Sequence, residues 1–185
     1  IIFAFSIFTI GIVKKIIFAD TISKVVEPVF NSNIDNLNFL EILIGIYGFA
    51  VQIYCDFSGY SDMAVGLGLI LGINLPINFL KPYTSKSLKY FWRKWHISLS
   101  TFLKDYLYIP LGGNRVILIK QIKNIFITMV LGGLWHGANW TFIFWGLFHG
   151  LILIAYKAYD YKFKVKLLVR RNPLYQILQT FFFFH

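Results

Sequence analysis

Charged residues are scarce in this sequence, and the shortage limits the class of protein that it can encode. Only 14% of the 185 residues are charged, whereas a soluble domain usually carries about 25%. Hydrophobic residues make up 57% of the chain, and the mean hydropathy is +0.64. The single cysteine, Cys55, excludes a disulfide within this sequence. These shortages favour an integral membrane protein over a soluble one.

The common signatures of nucleotide, metal and redox sites are absent as well. The sequence contains no P-loop, no GxGxxG after a strand, no HExxH and no CxxC, and we expect no metal site. The net charge of +10 raises the alternative of nucleic-acid binding, but no DNA- or RNA-binding module is recognisable. Basic residues instead flank apolar stretches, which is typical of the cytoplasmic side of a membrane and of contact with anionic lipids. We therefore expect membrane lipids as partners, and not nucleic acid.

The long apolar stretches predict an all-α fold, a polytopic transmembrane helical bundle with re-entrant or interfacial amphipathic helices. Because about 20 apolar residues cross the hydrocarbon core, membrane spans are predicted at residues 39–55, 116–135 and 138–156. We expect one integral-membrane domain over residues 1–185. The chain begins without methionine and its apolar stretch at residues 172–185 ends abruptly, so we expect truncation at the N-terminus and also at the C-terminus.

Polar and glycine-rich segments predict where the helices stop. Residues 19–38 are rich in charge and asparagine and are predicted to form a loop or lid outside the hydrocarbon core. The polar run at residues 54–62 predicts a broken backbone, which is tolerated at membrane depth only inside protein or beside water. The apolar residues 63–75 are too few to cross alone. Residues 87–108 place basic and aromatic side chains on different faces, as in an amphipathic interfacial helix, and residues 110–114 predict a turn.

His136 is the strongest catalytic candidate among the residues themselves. It lies between Trp135 and Trp140, whose rings could wall a pocket, with glycines on both sides. An ionisable group at membrane depth is costly and is a functional candidate, and histidine moves protons near neutral pH. A dry, neutral imidazole here could act as a general base on an attacking hydroxyl. The alternative is a histidine that packs at a helix start and bonds a backbone carbonyl, and the residues alone leave both open.

His96 shares one face of the predicted amphipathic helix with Arg93. The nearby guanidinium is expected to lower the pKa of the imidazole, and the neutral ring could then position or polarise a substrate. The alternative is an interfacial histidine on a basic face. The sequence around His96, taken alone, favours that alternative.

Asp56 and Asp62 are the acidic candidates within the predicted break. They could work as an acid–base pair, but six residues place them about 240° apart on a helix. We therefore expect them to bond backbone groups, Arg93 or another basic residue, and to brace the broken segment.

Several of these segments resemble motifs of the membrane-bound O-acyltransferases. The matching segments are FWRKWHISLSTFLKDYLYIP at residues 91–110, LGGN at 111–114, GLWHG at 133–137 and DFSGYSDMA at 56–64. Within that family, the sequence is most similar to a bacterial branch. The branch contains the membrane proteins of alginate and peptidoglycan O-acetylation and the protein that passes D-alanine to teichoic acids.

The resemblance implies a role for each matching residue. His136 corresponds to the catalytic histidine, and His96 to a second motif histidine near the centre of a tunnel through the protein. We expect His136 where two helical segments meet, as a site that lines a path through the membrane requires. The other residues implied to bind substrate or line the tunnel are Arg93, Trp95, Asp56, Asp62, Asn114, Trp135 and Asn139.

The resemblance also implies the reaction and its partners. It implies transfer of an acetyl group from cytoplasmic acetyl-CoA to an extracytoplasmic polysaccharide, alginate-like or peptidoglycan, at a bacterial cytoplasmic membrane. A periplasmic SGNH-type acetyltransferase is the implied partner protein. Two alternatives stay open: transfer of D-alanine or another acyl group from a carrier protein to teichoic acid, and a transporter or export subunit. Secondary transporters often contain internal repeats, and none is visible in this sequence.

Overall fold

The computed structural model describes residues 1–85 and 87–163, which form helices and loops without a β-strand. In chain order the longer elements are α1 Ile2–Ile12, a π-helical segment Val13–Ala19, α2 Asp20–Asn31, α3 Phe39–Ile70, α4 Leu88–Trp92, α5 Ile97–Leu103, a second π-helical segment Lys104–Tyr108, α6 Leu118–His136 and α7 Trp140–Phe163. The predicted all-α class is confirmed. The apolar stretch at residues 172–185 lies outside the described residues.

Some helices of the described chain are long and apolar enough to cross a membrane. They are Ile2–Asn31, Phe39–Ile70 and Trp140–Tyr159. Two of them contain the spans predicted at residues 39–55 and 138–156. The span predicted at residues 116–135 forms helix α6 but does not belong to this group. An α-helical membrane fold therefore follows from length and composition.

The chain divides into two compact units, Ile1–Asn78 and a second unit that begins at Phe79. The first unit contains α1 to α3 and the first π-helical segment. The second unit contains α4 to α7 and the second π-helical segment. The expectation of one domain over residues 1–185 stays a prediction.

The N-terminal part of the first unit is helical from α1 through the π-helical segment to the end of α2. The prediction that residues 19–38 form a loop is therefore wrong over the length of α2. The charged residues that suggested a loop recur every three to four positions, so they share one side of this helix. Apolar side chains on another side, Val26 and Val29, pack against glycines of α3. This packing stabilises α2 as a helix.

Helix α3 runs unbroken over Phe39–Ile70. The predicted break at residues 54–62 is therefore wrong, as is a separate short segment at residues 63–75. The small residues that suggested the break instead let α1 approach closely, since a Cβ on Gly11 would lie 2.6 Å from the carbonyl oxygen of Gly59. Small residues pack membrane helices in this way, and the helix does not need to unwind.

The two aspartates of α3 are held by lysines of the first π-helical segment. Lys14 Nζ lies 2.6 Å from Asp62 Oδ2. Lys15 Nζ lies 2.7 Å from Asp56 Oδ1 and 3.1 Å from Asp20 Oδ1. The expectation that both aspartates bond a basic residue is confirmed, with lysines as the partners, although they brace a continuous helix and not a broken one. An uncompensated charge at the centre of a membrane helix costs about 2.5–3.5 kcal/mol, so these pairs allow the polar run to stay helical.

Removing one partner of the Lys14–Asp62 pair is expected to destabilise the first unit more than removing both. Asp62→Leu leaves an uncompensated ammonium, and Lys14→Met leaves an uncompensated carboxylate. Because the two side chains are 28% and 30% exposed, we expect about 2 kcal/mol for each single variant, below the cost for a fully buried pair. Thermal unfolding of the purified single and double variants measures this effect. A double variant less stable than both singles would contradict it.

The second unit begins with short helices where the sequence predicted one amphipathic helix over residues 87–108. That prediction is wrong because the backbone turns at His96, which adopts φ 43° and ψ 59° between α4 and α5. A residue in this left-handed conformation does not continue a right-handed helix. The turn predicted at residues 110–114 is confirmed, with Gly112 and Gly113 at φ +103° and +52°.

Helices α6 and α7 pack against each other, antiparallel, through glycines. A Cβ on Gly133 would clash with the carbonyl oxygen of Phe142, and a Cβ on Gly146 would lie 2.5 Å from the carbonyl oxygen of Met129. The two backbones are therefore in direct contact, and this contact places the end of α6 beside the first turns of α7.

Candidate active site

A cavity of about 160 Å³ lies within the second unit. Its lining includes Trp92, Trp95, His96, His136 and Trp145, together with leucines and other small or apolar residues. Pockets for drug-sized ligands usually measure about 300–1,000 Å³. This cavity is smaller, and its size suits a small acyl group.

His96 reaches the cavity from an uncommon backbone conformation. Its φ of 43° lies in the left-handed region, which few residues other than glycine adopt and which is often found at active sites. The residue is only 9% exposed, and its ring centroid is 5.7 Å from that of Trp135. Burial lowers the pKa of His96, and His136 lowers it further. A lowered pKa for His96 was expected from the nearby Arg93. The structure shows the lowering, but its causes are burial and His136.

His136 ends α6, and α7 begins at Trp140, so the histidine lies where two helices meet, as expected. Its ring centroid is 5.2 Å from those of both Trp135 and Trp145, and 5.8 Å from that of Phe142. The side chain stays exposed, and partial desolvation lowers its pKa below the ordinary value of 6.5. An accessible imidazole that is neutral at pH 7 meets the first requirements for a general base.

The tryptophan walls differ in part from those predicted. Trp135 contacts the rings of both His136 and His96, but it is not among the described residues that line the cavity, and its predicted contact with substrate stays a prediction. Trp140 instead lies against Phe144, with ring centroids 6.5 Å apart. Trp145 contacts His136 in its place, and sequence reasoning missed it. The available signal was the spacing of Trp145 and His149, which are four residues apart and so share one face of α7.

Trp95 lines the cavity, whereas Arg93 is not among the described residues that line it. Trp95 stacks on Phe91 at 5.5 Å and meets Phe79 edge-on at 5.1 Å. Arg93 is exposed, and its guanidinium carbon lies 5.7 Å from the ring centroid of Tyr90, within the range of a cation–π contact. The predicted contact of Arg93 with substrate stays a prediction.

The side-chain oxygens of the two asparagines accept hydrogen bonds from other groups of the second unit. Asn114 Oδ1 accepts hydrogen bonds from the Tyr108 hydroxyl at 2.8 Å and from Lys157 Nζ at 2.9 Å. Asn139 Oδ1 accepts a hydrogen bond from the Thr141 amide at 3.1 Å, at the start of α7. Neither asparagine is among the lining residues described for the cavity, and their predicted contact with substrate stays a prediction.

The acidic candidates lie in the first unit. Asp56 and Asp62 are ion-paired there with Lys15 and Lys14, and their predicted place along a substrate path stays a prediction. Over residues 1–85 and 87–163, no three His, Cys, Asp or Glu side chains form a group that could hold a metal ion.

The cavity therefore presents two imidazoles to one small space lined by tryptophans and by small or apolar side chains. A neutral imidazole offers one donor N–H and one acceptor nitrogen. One ring can take a proton from a hydroxyl while the other donates a hydrogen bond to a carbonyl oxygen. This arrangement suits attack of a hydroxyl on an activated carbonyl group.

Comparisons with known proteins agree with this chemistry. The profile of MBOAT, the membrane-bound O-acyltransferase family, matches residues 3–185. The chain is 47% identical over 155 residues to a peptidoglycan O-acetyltransferase of Helicobacter pylori, covering 84% of the chain and 29% of that relative. It is 50% identical over 148 residues to a probable alginate O-acetylase, AlgI, of Pseudomonas putida, covering 80% and 30%.

A third relative acts with a different acyl group. The chain is 36% identical over 125 residues to a teichoic acid D-alanyltransferase of Bacillus subtilis, covering 64% of the chain and 32% of that relative. The matched region is thus less than a third of the length of these three relatives. The family profile nevertheless covers nearly all of the chain. The chain belongs to the membrane-bound O-acyltransferase family.

Proposed function

We propose that the protein is an O-acyltransferase that moves an acetyl group from cytoplasmic acetyl-CoA to a hydroxyl group of an extracytoplasmic polysaccharide, alginate-like or peptidoglycan. The observation that carries this proposal is the cavity lined by both His96 and His136. Relatives named as a peptidoglycan O-acetyltransferase and an alginate O-acetylase, at 47% and 50% identity, support acetyl as the group transferred.

In the proposed reaction His136 is the general base. Its unprotonated ring nitrogen takes the proton of the acceptor hydroxyl, and the hydroxyl oxygen attacks the carbonyl carbon of the acetyl thioester. The tetrahedral intermediate then collapses, the carbon–sulfur bond breaks, and the histidinium returns the proton to the leaving thiolate. The products are an acetyl ester and the CoA thiol, so the step needs no further reactant.

His96 acts on the carbonyl oxygen in this proposal. The N–H of its neutral ring donates a hydrogen bond to that oxygen as negative charge develops on it. Burial and the turn between α4 and α5 restrict the movement of His96, so we expect little reorganisation during the reaction. Only the acyl end of the donor is proposed to enter the cavity of about 160 Å³, and Arg93 is proposed to attract the donor phosphates from outside.

The proposed location is the bacterial cytoplasmic membrane, with the chain crossing it several times. Within the described residues, three helices are long and apolar enough to cross a membrane, which supports this location. The donor binds from the cytoplasm, and the acceptor hydroxyl belongs either to the sugar polymer or to a serine of a partner protein. A periplasmic SGNH-type acetyltransferase is the proposed partner on the outer side.

The donor is the point that most needs a test, because the relative named as a teichoic acid D-alanyltransferase supports D-alanine from a carrier protein as the alternative. Membrane vesicles from producing cells, which retain acceptor and partner proteins, are supplied with radiolabelled acetyl-CoA or with labelled D-alanyl carrier protein. We expect polymer-bound ester label from acetyl-CoA in the wild type. Label from the carrier protein alone would overturn the acetyl assignment, and label from neither donor would overturn acyl transfer.

The rate of acyl transfer is expected to fall on the acid side with a midpoint below pH 6.5. Protonated His136 cannot take a proton, and desolvation lowers its pKa, so activity persists below the ordinary titration range of histidine and is lost only as the pH falls through the lowered pKa. The profile of kcat/KM against pH, which reports the free enzyme, measures this midpoint. An acid limb centred above pH 6.5 would contradict the assignment of His136 as the base.

A further inference from the structure

A third histidine lies behind the cavity wall. His149 is on α7, one turn after Trp145, inside the stretch Trp140–Tyr159 that is long and apolar enough to cross a membrane. Its ring centroid is 4.6 Å from that of Trp145 and 5.3 Å from that of Trp92, to which it is nearly perpendicular at 88°. Both tryptophans line the cavity, whereas His149 is not among its lining residues. His149 therefore backs two walls of the site.

Two buried polar atoms of these adjacent rings lack hydrogen-bond partners among the described residues. Trp92 Nε1 and His149 Nδ1 are both buried, and neither has a hydrogen-bond partner among the described residues. Buried polar groups are nearly always hydrogen-bonded. An indole N–H only donates, and the unprotonated nitrogen of a neutral imidazole accepts. The two atoms are thus a complementary donor and acceptor on rings that already touch.

Trp145 connects this pair to the proposed base. Its ring centroid is 5.7 Å from that of Trp92 and 5.2 Å from that of His136, with interplanar angles of 83° and 80°. A shift of Trp92 or His149 would therefore move the wall against which the His136 ring rests. An ionisable side chain inside a membrane span is a functional candidate by default, which favours a role for His149 beyond packing.

Trp92 Nε1 and His149 Nδ1 are not hydrogen-bonded to each other in the structure. We propose that His149 is a positioning residue: after a small rotation of these adjacent rings its Nδ1 accepts a hydrogen bond from the Trp92 indole N–H, and this bond fixes Trp92 and Trp145 beside His136. This inference rests on the proposed acyl transfer. The His149 ring does not touch the reacting atoms, and its effect is on the direction of the His136 ring and on the shape of the cavity.

The test is a double-mutant cycle with His149→Phe and Trp92→Phe in the intact purified protein. His149→Phe keeps a flat ring and removes both nitrogens, and Trp92→Phe removes the N–H. We expect each single variant to lower kcat about 10- to 100-fold, as misplaced catalytic groups do, with little change in the KM for the donor. Because both remove the same hydrogen bond, the double variant is expected to be no slower than the slower single. His149→Asn restores an acceptor near the position of Nδ1 and should recover part of the lost rate.

Phe144→Leu is the matched control on the same helix, since Phe144 is 64% exposed and is not among the cavity-lining residues. Its kcat should stay close to that of the wild type. Additive losses in the double variant, or wild-type kcat in His149→Phe, would overturn the positioning role. A parallel cycle on thermal unfolding reports the Trp92–His149 coupling without catalysis. Non-additive melting temperatures in a protein that transfers no acetyl group would overturn the proposed function and leave the hydrogen bond standing.

Discussion

The His136→Ala variant of the intact protein is expected to transfer acetyl groups about 10²- to 10⁴-fold more slowly than the wild type, the range that a general base contributes. The substitution removes the accessible imidazole that contacts Trp135 and Trp145 at the end of α6. It leaves the backbone of α6 and the rest of the cavity in place. The initial rate of label transfer from acetyl-CoA to polymer, normalised to the amount of protein in the membrane, measures the loss.

Phe144→Ala is the control for this prediction. This substitution also removes an aromatic ring, from helix α7. Phe144, however, is exposed and contacts Trp140 and not His136. Its transfer rate is expected to stay close to that of the wild type. Unchanged transfer by His136→Ala at normal protein levels would remove His136 from the reaction.

Adding a single methyl group between α6 and α7 is expected to destabilise the second unit by about 3 kcal/mol, the upper part of the usual range for overpacking. A Cβ on Gly133 meets the Phe142 carbonyl, and one on Gly146 lies 2.5 Å from the Met129 carbonyl and 3.1 Å from Val130 Cα. These are backbone atoms, so no side-chain rotation can relieve the contact. Gly133→Ala and Gly146→Ala should lower the melting temperature and, because α6 carries His136, the transfer rate as well.

Gly150→Ala is the matched control on the same helix. Its Cβ would lie 3.3 Å from Met129 Cβ and no closer than 4.0 Å to the backbone of α6, so a small shift accommodates it. We expect a change in stability below about 1 kcal/mol. Equal melting temperatures for Gly133→Ala and Gly150→Ala in detergent would show that α6 and α7 do not pack through these glycines.

The helical membrane class could be predicted from the apolar stretches alone, because the hydrocarbon core sets the length of a span. The errors came where a distant partner decides the local structure. The polar run at residues 54–62 stays helical because Lys14 reaches Asp62, 48 positions along the chain, and because Gly11 allows close backbone contact. A linear pattern does not reveal a counter-charge on another helix.

For the candidate site as well, local sequence predicted some features and tertiary packing decided the others. His96 and His136 could be selected from residue type and neighbours, and both line the cavity. The break at His96 could not be predicted, since histidine is only enriched in the left-handed region and does not require it. Trp145 was missed because its contact with His136 depends on how α7 packs against α6. The two histidines could therefore be predicted from residue type, whereas the aromatic side chains that contact them depend on tertiary packing.

The most direct test of the central claim, that His96 and His136 serve one reaction in one cavity, is a double-mutant cycle on the acetyl-transfer rate. His96→Asn is the suitable partner for His136→Ala, because asparagine tolerates the left-handed backbone at this position. We expect a large loss of rate in each single variant and a double variant about as slow as the slower single, since groups that act as a unit are non-additive. Losses that multiply in the double variant would contradict a shared site.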